Sequence, residues 1–299
     1  MSLEEDLFAL EQATLASPGA SAFLAAVKRL RVLLANNFAG IGEEDEARAI
    51  VLRLQSPLLE GVALAAVSEA FGIGRASGLD VVDAPRGPLE RSTLGATPSK
   101  RARKPLIGLD ASAVELVGQA QALAAAGTET ATLIGPILAL GALFSGRVTQ
   151  AVNAGGNEGV RAVATAADVP VVWIAETNAC VHCLAYAGHV VEGGKKFPGG
   201  LTFGPKSYFP DAIATPPRHP NCRCTLEPLN DQSYADGLRR EAERSVLRGF
   251  SLETESMAVR IAAADLLLKR GVNAPKSVKA YAAKSVKAGR FPTRDRPLE

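Results

Sequence analysis

The chain has 299 residues, 47% of them hydrophobic, and a net charge of +2. That length and apolar content exclude a disordered protein and leave room for two domains; the near balance of charge excludes a protein that coats nucleic acid over its whole surface. Aromatic residues make up only 5% of the chain, which points to helices packed through small side chains and to a mainly α (α+β) fold.

Taken in chain order, Phe23, Leu24, Val27, Leu30, Leu33 and Leu34 recur at helical period, so a helix is expected over 21–35. A second follows from Glu43 to Leu54, with Glu43, Glu44, Asp45 and Glu46 suited to the positive end of its dipole. Ser56-Pro57 reads as an N-cap with proline at the first helical position, opening a third helix to about Phe71. The glycines of 72–78 then read as a helix stop; no strand precedes them and no P-loop lysine follows, so a phosphate-binding loop is excluded. Periodicity fades over 80–105, where prolines and the run Lys100-Arg101-Ala102-Arg103-Lys104 mark a basic linker or arm.

Asp110-Ala111-Ser112 is placed to cap an alanine-rich helix to about Ala126. The apolar run 131–144 is shorter than the ~20 residues of a membrane span and holds Pro136, so it reads as a buried helix pair, with no membrane span and no signal peptide expected. A further helix spans 145–167, with a break at Gly155-Gly156. Residues 169–174, β-branched and ending Trp173-Ile174, give the strongest strand signal; a second short strand is expected at 188–191. Helices resume over 233–247, 252–269 and 277–288, and the last of these begins a tail rich in Lys and Arg.

All four cysteines, all three histidines and the single tryptophan lie between Trp173 and Cys224. Cys180 and Cys183 have CxxC spacing, which lets one tight turn aim two thiolates at one ion. His219 and Cys222 repeat the i, i+3 spacing, and Cys224 adds a CxC pair. The candidate metal ligands are therefore Cys180, Cys183, His219, Cys222 and Cys224, as an all-cysteine set or as three cysteines with His219 in place of Cys224. A CxC pair in an extended strand points to opposite faces, so both sulfurs reach one ion only if the backbone turns there. Clustered cysteines in a cytosolic setting favour a structural Zn2+ over disulfides. The Gly/Pro-rich insertion between the knuckles could not hold its shape alone, and a zinc at its base would supply the missing folding energy. There is no HExxH, the soft ligands would close the coordination sphere, and Glu176 and Glu192 read as surface residues, so no catalytic residue is assigned. His182 and His189 read as polar residues on a loop and a strand.

An apolar strand with tryptophan, then Cys180-Val181-His182-Cys183-Leu184-Ala185-Tyr186-Ala187-Gly188, a Pro/Gly-rich insertion and His219-Pro220-Asn221-Cys222-Arg223-Cys224 resemble the phage Mu F-like minor head protein family. The resemblance covers about 106–229; Arg147 to Asn153 adds a weaker match, and Val181 departs from the proline common after the first cysteine. It implies a non-enzymatic head-morphogenesis protein of a tailed phage. Such a protein is made in the host cytoplasm, resides in the virion near the portal vertex with portal and major capsid proteins as partners, and leaves with the DNA at ejection. The chain then divides into an N-terminal helical region (1–79), the linker (80–105), the Mu F-like domain (106–232) and C-terminal helices with a basic tail (233–299). Lys100, Arg101, Arg103, Lys104, Lys284, Lys287 and Arg290 are candidate contacts to double-stranded DNA, by charge alone. Two alternatives stand beside this reading. One is a zinc- or cysteine-dependent hydrolase in head maturation; the other is a cellular zinc module that binds nucleic acid.

Overall fold

A computed structural model describes residues 3–40, 42–54, 59–86, 97–176, 179–192, 194–220, 222–250 and 255–292. The fold is mainly α with one small antiparallel sheet. Its helices are α1 (Leu3–Leu15), α2 (Pro18–Ala35), α3 (Glu43–Arg53), α4 (Leu59–Arg86), α5 (Lys100–Arg103), α6 (Leu109–Ala125), α7 (Thr130–Leu133), α8 (Gly135–Ala166), α9 (Val181–Tyr186), α10 (Gln232–Leu247), α11 (Met257–Lys269) and α12 (Lys276–Ala288). Strands β1 (Val171–Ile174), β2 (Val190–Val191) and β3 (Thr225–Pro228) form a sheet in the order β2-β1-β3. The chain forms two compact units. One comprises Met1–Gly72 and Thr97–Gly155, the other Ile73–Ala96 and Gly156–Glu299.

In the first unit, α2 buries Phe23, Val27, Leu30 and Leu33, the stripe expected from their spacing. Arg29 reaches Glu46 with two bonds of 2.7 and 2.6 Å, tying α2 to α3. Arg48 on α3 donates to the carbonyls of Ala124 and Thr128, both at 2.7 Å, and so satisfies the C-terminal end of α6. Asp110 does not cap its own helix. Gly108, with φ 75°, occupies that position, and the Asp110 carboxylate accepts the backbone N–H groups of Leu59 and Glu60 at 2.6 and 2.8 Å. A side chain read locally as a cap is thus a cap for α4, because tertiary packing brings that orphaned helix start to it. Asp110→Ala is expected to lower stability by about 1 kcal/mol in a denaturant titration. The Ser56-Pro57 start lies outside the described residues.

Two breaks expected from glycine do not occur. Helix α4 runs through 72–78 to Arg86, and α8 runs through Gly155-Gly156. Within the second unit the reason is close packing. A Cβ on Gly74 would fall on the carbonyl oxygen of Gly156, and one on Gly78 would press on Val163 at 3.1 Å. These glycines lower intrinsic helix propensity, but they let the two helix backbones touch. Gly74→Ala should cost about 1–3 kcal/mol by overpacking, read as a fall in Tm.

The apolar run 131–144 forms a helix pair as expected: α7 ends at Leu133 and α8 begins at Gly135, with Pro136 in its first turn, where a missing N–H breaks no helical bond. Thr130–Ala166 is long and apolar enough to cross a membrane by length and composition; a core helix meets the same criteria, and 39% of its most apolar stretch is buried inside the protein.

The second unit carries the sheet. Val171 and Val172 pair with Val191 and Val190, and Val171 to Ile174 pair with Pro228 back to Thr225. Strand β3 was not expected from the sequence: its four residues end in proline, and it becomes a strand only through β1 and through a side chain of α8 described below. Val172, Leu229 and Ala235 form a core beneath the sheet with Val190 and Leu238, and Leu79, Val82, Val163 and Val169 form another. Gly188, at φ 71°, turns the chain from α9 to β2, and a Cβ there would fall on the backbone of Ala235 in α10. Helices α10, α11 and α12 pack on one another and are locked by Phe291, which stacks on Tyr281 at 6.3 Å and lies under the Arg260 guanidinium.

Candidate metal centre

Strand β1 delivers the chain to the first knuckle. Trp173, fully buried, packs against Tyr186 at 4.8 Å and edge-on to Phe197 at 5.2 Å, forming an aromatic floor under the cysteines. Cys180 is the N-cap of α9, and the Cys183 N–H points at its sulfur at 3.4 Å. An N-cap sulfur followed by a helical turn is what brings residues i and i+3 to one side.

The second knuckle meets it from the far end of the insertion. His219 Nε2 lies 3.1 Å from both Cys180 Sγ and Cys183 Sγ, and Cys183 Sγ lies 3.6 Å from Cys222 Sγ. His219 Nδ1 is 2.7 Å from the Pro220 carbonyl oxygen. A carbonyl can only accept, so Nδ1 carries a proton and Nε2 is the nitrogen turned toward the sulfurs, the one an entering metal ion would take in place of its proton. The five donors fall into two triads, Cys180/Cys183/His219 and Cys183/Cys222/Cys224, with all ligand atoms of a triad within 4.8 Å of one another. All four cysteines are buried, and none is in a disulfide. The five residues singled out from the sequence therefore do come together, and the cluster could hold a metal ion.

Electrostatics fit the same use. Hydrogen bonding from Cys183, helped by His219, holds the Cys180 thiol down to about 4. Burial opposes protonation of His219, but its hydrogen bond to Cys180 and the thiolate charge raise it to about 9. Hydrogen bonding to Cys183 likewise lowers Cys222, whereas Cys183 is raised by sharing protons with Cys180 and Cys222. The cluster thus favours thiolates at both knuckles, and an entering cation would displace the remaining protons.

Two positioning residues have no sequence signature. Asn157 of α8, fully buried, donates to the Cys224 carbonyl at 3.1 Å and accepts from the Leu226 N–H at 2.6 Å. Its amide acts as a neighbouring strand for the free edge of β3, and it fixes the backbone between the CxC pair and the sheet. That answers the difficulty of a CxC in extended chain, because Cys224 is held by a side chain while Cys222 is turned by its N–H bond to the His219 carbonyl at 3.2 Å. Asn221, between His219-Pro220 and Cys222, lies outside the described residues. Glu255, just before α11, accepts the Val181 N–H on both carboxylate oxygens at 3.2 Å. This carboxylate supports the start of the CxxC turn.

The insertion is more ordered than its composition suggests. Phe197 and Ile213 exchange backbone bonds of 2.8 and 3.0 Å, Gly200 donates to Phe209 at 2.8 Å, and Tyr186 Oη donates to the Pro198 carbonyl at 2.7 Å. Arg218 spans the Tyr186 and Phe209 rings and donates to the carbonyls of Phe209 and Asp211. His182 is not a loop residue. It lies in α9, buried, edge-on to Tyr208 and Phe209, and burial lowers its pKa. His189 precedes β2, and burial lowers its pKa too.

Comparison with protein-family models, curated proteins and solved structures finds no match.

The basic candidates are placed separately. Lys100, Arg101 and Arg103 form α5 and Lys104 the 3-10 turn after it, in the first unit; Lys284 and Lys287 lie on α12 with Arg290 just beyond, in the second. Helix α12 contains Lys-Ser-Val-Lys-Ala twice, at 276–280 and 284–288, and no carboxylate. Lys276, Lys284 and Lys287 are exposed, and none of them has an ion-pair partner among the described residues.

Proposed function

We propose that the chain is a non-enzymatic minor component of a tailed-phage head, built around a structural Zn2+ and docked among portal and major capsid proteins near the portal vertex. The observation that carries the metal is the meeting of both knuckles at Cys183, with four buried cysteines outside any disulfide and His219 turning Nε2 toward two of them. Zinc is the ion of choice for such a thiolate and imidazole set, and when bound it cross-links the ends of the insertion. The head role is supported by the resemblance carried by Cys180 to Cys183 and His219 to Cys224. Architecture is favoured over hydrolysis because the centre offers more soft donors than a four-coordinate ion uses, and the nearby carboxylate of Glu255 is engaged by a backbone N–H.

Mass spectrometry of particles from cells carrying this gene tests the head role. A low, fixed ratio of this chain to the portal protein is expected. Presence in assembling heads with absence from finished ones would instead favour a maturation factor and the hydrolase reading.

Contact with packaged DNA forms part of the proposal, through the exposed Lys276, Lys284 and Lys287 of α12 acting on phosphates. Replacing Lys284 and Lys287 together with Gln should reduce the slope of log affinity against log salt by about 1.8, at ~0.9 per phosphate contact. An unchanged slope would place any DNA contact elsewhere.

A further inference from the structure

Helix α8 carries a second buried polar side chain on the face that meets the second knuckle. Arg161 lies four residues beyond Asn157, so the two stand on one side of the helix, about 6 Å apart along its axis. Arg161 is 8% exposed, and its Nη1 donates to the Ala214 carbonyl at 2.8 Å. No carboxylate pairs with it among the described residues, its Nη2 is buried without a partner, and burial lowers its pKa. An unpaired buried cation is costly, so packing alone does not account for an arginine here. The contact that uses its charge is the bond to Ala214.

Ala214 begins the approach to the second knuckle. Thr215, Pro216 and Pro217 follow, all buried, and then Arg218 and His219. The two prolines have a fixed φ and no N–H, so the stretch has little slack and offers carbonyls rather than amides to hold it by. Beyond the knuckle, Asn157 holds the Cys224 carbonyl and the Leu226 N–H. The arch from Ala214 to Cys224, which carries His219, Cys222 and Cys224, is therefore fastened at both ends to one helix.

Resting on the structural-metal reading above, we propose that Arg161 is a positioning residue of the metal centre. With Asn157 it fixes the two ends of the second knuckle one turn apart on α8, and so sets where that knuckle's donors stand when they meet Cys180 and Cys183. All three donors ride on the same arch, so the effect of Arg161 falls on metal affinity and not on which of them bind. Holding the arch in place before the ion arrives removes an ordering cost that binding would otherwise meet. Without the bond at Ala214 the arch hangs from Asn157 alone, and His219, midway along it, loses its reference.

The test is Zn2+ binding to the reduced, full-length protein and its Arg161 variants. Affinity is read by competition with a chromophoric chelator, and the rise in Tm that saturating Zn2+ produces is read beside it. Arg161→Met removes the charge and the donor but keeps the length of the side chain, and is expected to bind Zn2+ about 10- to 100-fold more weakly. The rise in Tm on adding Zn2+ should shrink with it, because stabilisation by a ligand follows its affinity. Arg161→Lys keeps a charged donor and should lose less than about tenfold. In an Asn157→Leu background, Arg161→Met should cost less affinity than it does alone, since an arch already released at one end gains little from the other. Three results would overturn the proposal: wild-type Zn2+ affinity in Arg161→Met, an equal fall in Tm with and without Zn2+, or losses that simply multiply in the double variant. Should Arg161→Met not fold, Arg161→Gln, which keeps a neutral donor on a shorter stem, takes its place under the same criteria. A wild type that binds no Zn2+ defeats the structural-metal reading itself, whereas normal wild-type binding beside an indifferent Arg161→Met defeats the role of Arg161 alone.

Discussion

Stripping the metal from the reduced protein with a strong chelator is expected to melt the region 179–224 while the helices of the first unit stay folded. Structural zinc contributes about 10–16 kcal/mol to the folding of small peptides that have no other core. Here the sheet and α10 to α12 have cores of their own, so the loss should concentrate on the insertion between Cys183 and His219, whose ends a bound ion would join. That insertion is held by Phe197–Ile213, Tyr186–Pro198 and the Arg218 contacts. These are a few backbone and charge-assisted bonds worth about 0.5–3 kcal/mol each, set against the chain entropy of a long loop. The readout is built in. Trp173 is the only tryptophan, is fully buried, and shares the floor of the site with Tyr186 and Phe197. Its emission should shift to the red on chelation and return when Zn2+ is restored, with little change in helical circular dichroism because the region contains only the short α9. Retained blue emission and retained protease resistance of the insertion, after complete removal of the metal, would show that the ion does not hold the fold.

Replacing Asn157 should be the most damaging single substitution outside the ligands. Its amide satisfies a buried carbonyl and a buried N–H at once, and no water-exposed route remains for either. Asn157→Leu keeps the volume but leaves both groups unsatisfied. At about 1–3 kcal/mol for each, the loss should be on the order of 2–6 kcal/mol. Metal affinity should fall about 10- to 100-fold, because the backbone carrying Cys224 and the turn at Cys222 lose their reference. Calorimetric unfolding and competition with a chromophoric chelator measure the two effects separately. Asn157→Asp tests the cause: it keeps an acceptor for the Leu226 N–H but loses the donor to the Cys224 carbonyl, so a loss smaller than that of Leu is expected. Equal stability of all three proteins would remove Asn157 from the support of the site.

The chemistry of the centre was legible because it is local. CxxC spacing, the i, i+3 spacing of His219 and Cys222, and a strand ending in Trp173 are patterns that a short stretch carries whole. The main helices were legible for a similar reason, as with the stripe of Phe23, Val27 and Leu30 on α2. Asn157 and Glu255 were not: an asparagine on an apolar helix and a glutamate before a helix have the same local appearance whether they face water or brace a metal site. Strand β3 was missed because a four-residue segment ending in proline has little strand character until β1 and Asn157 pair with it.

By itself the sequence determined which residues could gather as metal donors and that helices dominate, since these follow from residue type and short-range period. The tertiary structure alone decided that 72–78 and Gly155-Gly156 continue helices instead of ending them, that Asp110 caps α4, and that five donors share one pivot at Cys183. In each case the sequence admits two local outcomes of similar free energy. What separates them is a contact from a distant part of the chain: a helix backbone close enough to exclude any Cβ, an orphaned N–H in need of an acceptor, or a second knuckle arriving across the insertion.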